Sequence, residues 1–427
     1  MTELNGNQRM KNVVIVGQGY VGLPLALAAS SAGHSVTGLE RSAGTVQSLM
    51  AGRSHIDDVS DAALADGLRS GYSCTDREEV LLGADVVVIC VPTPLSSDGG
   101  PDLSAVESAV RSIARNPRRG QTVILESTTY PGTTEEVVLP ILESDGQQHG
   151  EDFYLAFSPE RVDPGNEKYG IVNTPKLVGG LTPAATKAAA DFYSSFVDTV
   201  VTMRGAREAE MAKLLENTYR HVNIALVNEM ARFSHDLGID IWDVINGAST
   251  KPFGYQAFWP GPGVGGHCIP IDPNYLSHQI RTRLGYSFRF VELAQEINNT
   301  MPEYVVRRAQ DLLNRSAIAM NGAKVLLVGV TYKADIADQR ESPIKPLAEG
   351  LATLGADLRY FDPLVPDWHL GDRSLSSETD LVAACEGADL TIVLQAHKAV
   401  DFDMVSRHSR RVLDTRGVVR GRDVERI

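Results

Sequence analysis

Continuous runs of β-branched and aliphatic residues alternate with helical stretches through the first part of the chain. Such runs occupy residues 13–16, 86–91, 122–125 and 154–157, with a more polar second strand, Ser35-Val-Thr-Gly-Leu39, and helical stretches such as 23–29 and 104–115 between them. A run that is apolar at every position, not every second one, belongs to a strand covered on both faces, the condition of a parallel sheet flanked by helices. The pattern predicts a doubly wound sheet. The texture changes near Arg207: residues 208–237 place Met211, Leu214, Leu215, Val222, Leu226, Met230 and Phe233 at helical spacing and so predict a long helix opening an all-helical middle. Alternation then returns, with strands expected at 324–329, 357–361 and 390–394 and a helix at 344–354. The expected architecture is two doubly wound α/β domains joined by a long-helix central domain.

Length refines this picture. A chain of 427 residues has room for two to three domains, each with its own core, and the pattern puts their bounds at 1–205, 206–316 and 317–427. With 43% hydrophobic and 22% charged residues, the chain is an ordinary globular protein. No apolar run has the length of a membrane span and the start is polar, so a cytoplasmic location is expected. A formal charge of −14 argues against nucleic-acid or anionic-membrane partners, which need a basic face. Small anions are still allowed, because glycine loops and helix N-termini bind them locally. The cysteines Cys74, Cys90, Cys268 and Cys385 form no Cys-x-x-Cys pair, and the histidines show no ligand spacing, so neither a structural metal nor a disulfide framework is expected.

Gly17-Gln-Gly-Tyr-Val-Gly22 directly follows the first strand and opens the first helix. In that context Gly17 makes the turn, Gly19 lets the backbone approach a pyrophosphate, and Gly22 allows close packing of helix on strand. The second strand ends at Glu40, at the offset where a carboxylate meets the ribose 2′-hydroxyl of NAD. Arg41 beside it leaves the 2′-phosphate of NADP as the alternative. The first domain therefore reads as a Rossmann-like dinucleotide fold.

A second glycine-rich segment, Gly261-Pro-Gly-Val-Gly-Gly-His-Cys-Ile-Pro-Ile-Asp-Pro273, sets a cysteine four residues before an aspartate. A thiolate there can add to a carbonyl carbon, and the glycines let main-chain amides approach a ligand. The other reading is a flexible loop around an inert buried thiol. Pro- and Thr-containing loops follow the strands of the first domain, where open α/β sheets bind ligands; Thr93 and Thr128 could hold a cofactor or a water, and Glu160 could move a proton. Turn chemistry explains such residues equally well. On the long helix, Lys213 and Asn217 share a face, suited to a developing alkoxide unless the lysine is merely solvated.

Together, Gly17-Gln-Gly-Tyr-Val-Gly-Leu-Pro-Leu-Ala26, Val91-Pro-Thr-Pro94, Ser158-Pro-Glu160, Lys213-Leu-Leu-Glu-Asn217, Gly265-Gly-His-Cys-Ile-Pro-Ile-Asp272, Thr331-Tyr-Lys-Ala-Asp335 and Arg340-Glu-Ser-Pro343 resemble the nucleotide-sugar 6-dehydrogenases. The resemblance covers nearly the whole chain. It implies a four-electron oxidation of a UDP-sugar C6 hydroxymethyl to a carboxylate with two NAD per turnover and no metal. Cys268 would form the thiohemiacetal and thioester, Asp272 and Lys213 would assist proton transfer and charge stabilisation, Asn217 would support the oxyanion, Thr128 would position a water, and Glu160 would help hydrolysis. It further implies cofactor contacts at Gly17, Gly19, Tyr20, Val21, Gly22, Glu40, Arg41, Pro92, Thr93, Thr128 and Arg340. Substrate contacts would fall at Glu160, Arg161, Lys213, Asn217, Lys251, Phe258, Gly265, Gly266, Tyr332 and Lys333. A dimer built on the helical middle, with UDP on the C-terminal domain, is part of the same expectation.

His267 and Ile271 depart from the UDP-glucose branch, which has lysine before the aspartate, and look like the N-acetylhexosamine branch. Thr250-Lys-Pro-Phe-Gly-Tyr255 and Phe258-Trp-Pro-Gly-Pro262 are closer to the UDP-N-acetylglucosamine enzymes than to the N-acetylmannosamine ones. Two rival classes stay open: a two-electron dehydrogenase with a structural cysteine, and a silent NAD- or UDP-sugar-binding regulator.

Overall fold

The computed structural model describes residues 10–427 apart from 97–99, 164, 167, 267, 268 and 422. The chain forms two compact units, Met1–Glu216 and Asn217–Ile427.

The first unit is built on eight strands: β1 (Asn12–Val16), β2 (Ser35–Leu39), β3 (Tyr72–Thr75), β4 (Val86–Ile89), β5 (Gln121–Leu125), β6 (Phe153–Phe157), β7 (Lys176–Gly180) and β8 (Val200–Thr202). They lie in the order β3-β2-β1-β4-β5-β6-β7-β8, parallel throughout except for the antiparallel β6–β7 pair. Helices α1 (Gly22–Ser31), α2 (Ala43–Met50), α3 (Asp61–Arg69), α4 (Ser104–Arg115), α5 (Leu139–Leu142) and α6 (Pro183–Tyr193) connect them. Alternate strand residues feed opposite faces. Val13, Ile15, Val86 and Val88 enter one core, while Val14, Val16, Val87 and Ile89 enter the other. That double burial is why these strands read as unbroken apolar runs. β1 pairs with β2 on one side and β4 on the other, so the strand order reverses there, at the crevice where dinucleotides bind in this architecture.

Strands β3, β7 and β8 escape the apolar pattern, because each is short and carries polar residues or glycine, as in Tyr72-Ser-Cys-Thr75 and Lys176-Leu-Val-Gly-Gly180. The long helix α7 (Ala206–Asp236) is present as expected, and the boundary between the two units falls within it.

The second unit continues with α8 (Ile241–Ser249), α9 (Asp272–Leu284) and α10 (Arg289–Asn314). Next come β9 (Lys324–Val328), α11 (Ile344–Thr353), β10 (Asp357–Phe361), β11 (Asp367–Leu370), β12 (Arg373–Ser376), α12 (Leu381–Gly387), β13 (Leu390–Val393), α13 (Phe402–His408), β14 (Val412–Asp414) and β15 (Val424–Arg426). Five of these strands form a parallel sheet in the order β10-β9-β13-β14-β15, and β11 with β12 makes a separate antiparallel hairpin. Tyr304, Val305, Ala309 and Leu313 of α10 share one core with Val325, Leu327 and Leu347, so the last helix of the middle and the C-terminal sheet bury each other.

Candidate active site

The turn after β1 has the shape that its glycines predict. Gly17 takes φ +90°, and a Cβ on it would sit 2.7 Å from the Cys90 carbonyl oxygen; a Cβ on Gly22 would sit 1.9 Å from the Gly17 oxygen. Only glycine fits either place. A Cβ on Gly19 would meet nothing within 4 Å, which leaves open space above the N-terminus of α1 for a pyrophosphate. The Glu40 carboxylate accepts the backbone N–H groups of Gln18 at 3.1 Å and Ser42 at 3.0 Å, and so is tied to the turn where a ribose would lie. Val21 precedes α1, and Tyr20, Arg41 and Pro92 are exposed. Thr93 Oγ1 donates to the Thr128 carbonyl at 2.7 Å, joining the loops after β4 and β5. These residues fit a bound NAD.

The first turns of α7 grip the same loops through three residues spaced three apart. Glu210 accepts from the backbone N–H groups of Gly132 at 2.6 Å and Thr134 at 2.9 Å, and from the Thr134 hydroxyl. Burial pushes its carboxyl up to about 7 against those hydrogen bonds. Lys213 is buried, and its ammonium donates to Thr128 Oγ1. Glu216 accepts a two-pronged bond from the Arg161 guanidinium at 3.1 and 2.7 Å. Arg161, expected to hold substrate, is therefore held by α7.

Glu160 belongs to a buried cluster beside these loops. Its carboxylate accepts the N–H groups of Arg161 at 2.7 Å and Val162 at 2.5 Å, and the Lys176 ammonium at 3.3 Å. Lys176 also donates to Glu126, which accepts the Tyr193 hydroxyl at 2.6 Å. Burial alone would raise the Glu160 carboxyl, but Lys176, the Glu126 hydrogen bond, the Val162 amide and Lys213 bring it down to about 2. Glu126, buried without amide donors, is pushed up to about 7. The first unit thus brings together Thr128, Lys213 and Glu160 of the expected residues, and adds Glu126, Lys176, Glu210 and Glu216. Glu216 lies inside the quoted Lys213–Asn217 motif without having been singled out, and Glu126, Lys176 and Glu210 lay outside every quoted motif, since an isolated Glu or Lys reads as surface charge.

In the second unit, Asn217 Nδ2 donates to Asp272 Oδ2 at 2.7 Å, with both side chains buried. Asp272 is the first residue of α9, where the helix dipole favours a carboxylate. Asn228 Oδ1 accepts the Gly261 N–H at 2.9 Å while its amide donates to Asn298 of α10. One face of α7 therefore holds both ends of the glycine-rich segment. Between those ends, Gly265 and Gly266 pack on Tyr332; a Cβ on Gly266, already at φ +91°, would lie 2.7 Å from the Tyr332 ring. Cys268, the expected nucleophile, and His267 lie outside the described residues.

The Tyr332–Lys333 loop has its own brace. The Asp335 N–H donates to His397 Nδ1 at 3.0 Å, which leaves Nε2 to carry the proton facing Asp362 Oδ2 at 3.2 Å. Asp335 and Glu341 take φ of 63° and 52°, conformations that side chains rarely adopt and that cluster at ligand sites. Arg340 forms a two-pronged pair with Asp338 at 2.9 and 2.7 Å. Phe258 packs edge-on against Tyr219, and Lys251 is exposed over the Phe253 ring. Among the described residues, no group of three or more His, Cys, Asp or Glu could hold a metal, and no helix is long and apolar enough to cross a membrane.

Comparison with known proteins agrees with this geometry. The UDP-glucose/GDP-mannose dehydrogenase family matches in three parts: its NAD binding domain over residues 11–197, its central domain over 207–300 and its UDP binding domain over 326–421. A UDP-N-acetyl-D-mannosamine dehydrogenase of Pyrococcus horikoshii is 34% identical over 415 residues, covering 96% of each chain. A UDP-N-acetyl-D-glucosamine 6-dehydrogenase of Pseudomonas aeruginosa is 35% identical over 356 residues, covering 83% of each. The solved structure of a UDP-D-ManNAc dehydrogenase from Pyrococcus horikoshii superposes with a TM-score of 0.88 at 33% identity, covering 97% of this chain and 99% of that one. Fold and site define an NAD-dependent dehydrogenase of a nucleotide-linked sugar. The chain belongs to the UDP-glucose/GDP-mannose dehydrogenase family.

Proposed function

We propose that this chain oxidises C6 of a UDP-linked 2-acetamido hexose from hydroxymethyl to carboxylate, through a covalent adduct on Cys268. The observation that carries the reading is the buried Asn217–Asp272 hydrogen bond at the start of the helix into which the Cys268 segment runs. NAD, held at the Gly17–Gly22 turn with Glu40, supplies the hydride acceptor for both oxidations. Lys213 and Asn217 stabilise the charge that develops on the C6 oxygen, and Asp272 moves its proton. The Cys268 thiolate adds to the aldehyde carbon and retains it. In the last step a water ordered by Thr128 attacks the thioester, with Glu160 as its proton acceptor.

The domain bounds 1–205, 206–316 and 317–427, assigned to NAD binding, helical assembly and UDP binding, are part of this proposal. So are a cytoplasmic location and a homodimer or higher oligomer. The remaining site assignments, from Tyr20, Arg41 and Pro92 to Arg161, Lys251, Phe258, Lys333 and Arg340, are carried as contacts of these two ligands.

For the sugar, the segments around residues 250–262 support the gluco epimer. A second reading, the manno epimer, is favoured by the relative that matches over the greater length. Such epimers differ by a few pocket contacts worth about 1–3 kcal/mol each. The test is incubation with NAD and, in turn, UDP-N-acetylglucosamine, UDP-N-acetylmannosamine and UDP-glucose, following NADH and sugar acid. Two NADH per acid are expected; one NADH per sugar and an aldehyde product would replace this reading with a two-electron dehydrogenase.

A further inference from the structure

Glu126, Lys176 and Glu160 come from the ends of three neighbouring strands, and the antiparallel β7 is what brings them together. Glu126 follows β5 and Glu160 lies beyond β6, both at the carboxyl end of the sheet. In an all-parallel sheet the first residue of the next strand would lie at the opposite edge. Because β7 runs against β6, its first residue, Lys176, arrives beside the two carboxylates.

Charge counting shows what the cluster can hold. The side chains of Lys176, Glu126 and Glu160 are 7%, 0% and 11% exposed, so an uncompensated charge is costly there. Two carboxylates and one ammonium carry one net negative charge, which one added proton neutralises and which the Lys213 ammonium facing Glu160 offsets once that proton has left. Glu160 accepts two backbone N–H groups, which favour its ionised form; Glu126 accepts the Tyr193 hydroxyl and sits deeper. A proton taken up by the cluster therefore settles on Glu126 and leaves Glu160 ionised, and the empty store has both carboxylates ionised. The other titratable groups facing the cluster are neutral or cationic: burial holds Cys90 and Tyr193 well above their usual ranges, and Lys213 of α7 faces Glu160. Tyr193 is fully buried, so this branch ends in the core and leads no proton to solvent. Glu160, the most exposed of the three, also interacts with Lys213.

We propose that Glu126, Lys176 and Glu160 form a store for a single proton, which enters through Glu160 during thioester hydrolysis, rests on Glu126 and returns the same way. The proposal builds on the assignment of Glu160 to that step. Water oxygen bonds to the thioester carbon, the C–S bond breaks with its electron pair returning to Cys268, and the water proton passes to Glu160 and on to Glu126. The new acid releases its own proton to solvent. Lys176 holds the two carboxylates in contact and keeps Glu160 ionised between turnovers. The pair, not either carboxyl alone, then accepts a proton near neutrality, in keeping with about 7 for Glu126 and about 2 for Glu160.

The test is Glu126→Gln, which keeps the shape and neutral charge of the loaded store but cannot be emptied. With whichever UDP-sugar the wild type turns over, the acid limb of kcat, near pH 7 in the wild type, should move down by more than one pH unit. The kcat plateau should fall on the order of tenfold while the sugar KM stays within about twofold. Lys176→Arg should restore more activity than Lys176→Met. An unchanged kcat and acid limb in Glu126→Gln would overturn the store. A readout without substrate separates this from failure of the functional reading. The folded-state value of Glu126 lies above its unfolded one, so its stabilising protonation fades as pH rises through about 7. The thermal midpoint of the wild type should therefore fall more steeply between pH 5.5 and 8 than that of Glu126→Gln; parallel slopes would also overturn the proposal.

Discussion

At the scale of single residues, the proposed chemistry leans most on Lys213. A surface lysine in helix α7 would be a solvated charge, but this one is buried with its ammonium against Thr128 and within electrostatic reach of Glu160. A cation held in a dry place and aimed at an oxygen gains most when that oxygen becomes negative. Lys213→Ala should accordingly lower kcat by about a hundredfold or more while raising KM only severalfold, in steady-state NADH kinetics. A dominant rise in KM would reduce it to a binding residue.

At the scale of elements, the turn into α1 and helix α7 show how one segment serves two purposes. Gly22→Ala drives a Cβ into the Gly17 carbonyl, so it should lower stability by about 1–3 kcal/mol and weaken NAD together. Gly19→Ala meets no protein atom, so the melting temperature should hold while NAD affinity falls; thermal melts with and without NAD distinguish the two. Helix α7 departs from its own apolar periodicity. Of the apolar positions that predict the helix, Leu214 is buried while Met211, Leu215, Leu226 and Phe233 are exposed, and the covered side mixes Ala209, Leu214, Ala225, Val227 and Ala231 with Glu210, Lys213, Asn217, His221 and Asn228. The hydrophobic period reports that a helix forms. It does not report that half of the covered positions are polar, because those side chains are spent on anchoring loops.

At the scale of the whole molecule, the exposed apolar side chains of α7 and α10 bear on assembly. Leu215 and Phe233 of α7 are 62% and 47% exposed, and Phe290 and Leu293 of α10 add 69% and 54%. Phe233, Phe290 and Leu293 all belong to the second unit, and large apolar side chains this exposed favour cover by a second copy. Phe233→Glu should shift the sedimentation coefficient toward the monomer with the NAD-binding unit still folded. A wild type that sediments as a monomer at every concentration would remove the dimer from the proposal.

The strands buried on both faces, the nucleotide turn and the long helix were legible in the order of residues, and so were the positions of Thr128, Glu160, Lys213, Asn217 and Asp272, whose roles belong to the proposal. They are local: periodicity and short motifs are written in consecutive positions, and each strand needs only its own run to be recognised. Tertiary structure alone decided that β7 runs backwards, that Lys176 thereby reaches Glu126 and Glu160, and that polar residues on the covered side of α7 hold both ends of the glycine-rich segment. Those outcomes depend on partners far apart in the chain, such as Asn217 and Asp272, 55 positions from each other. A charge becomes costly or useful only once burial removes its water, and burial belongs to the packed chain, not to any stretch of it.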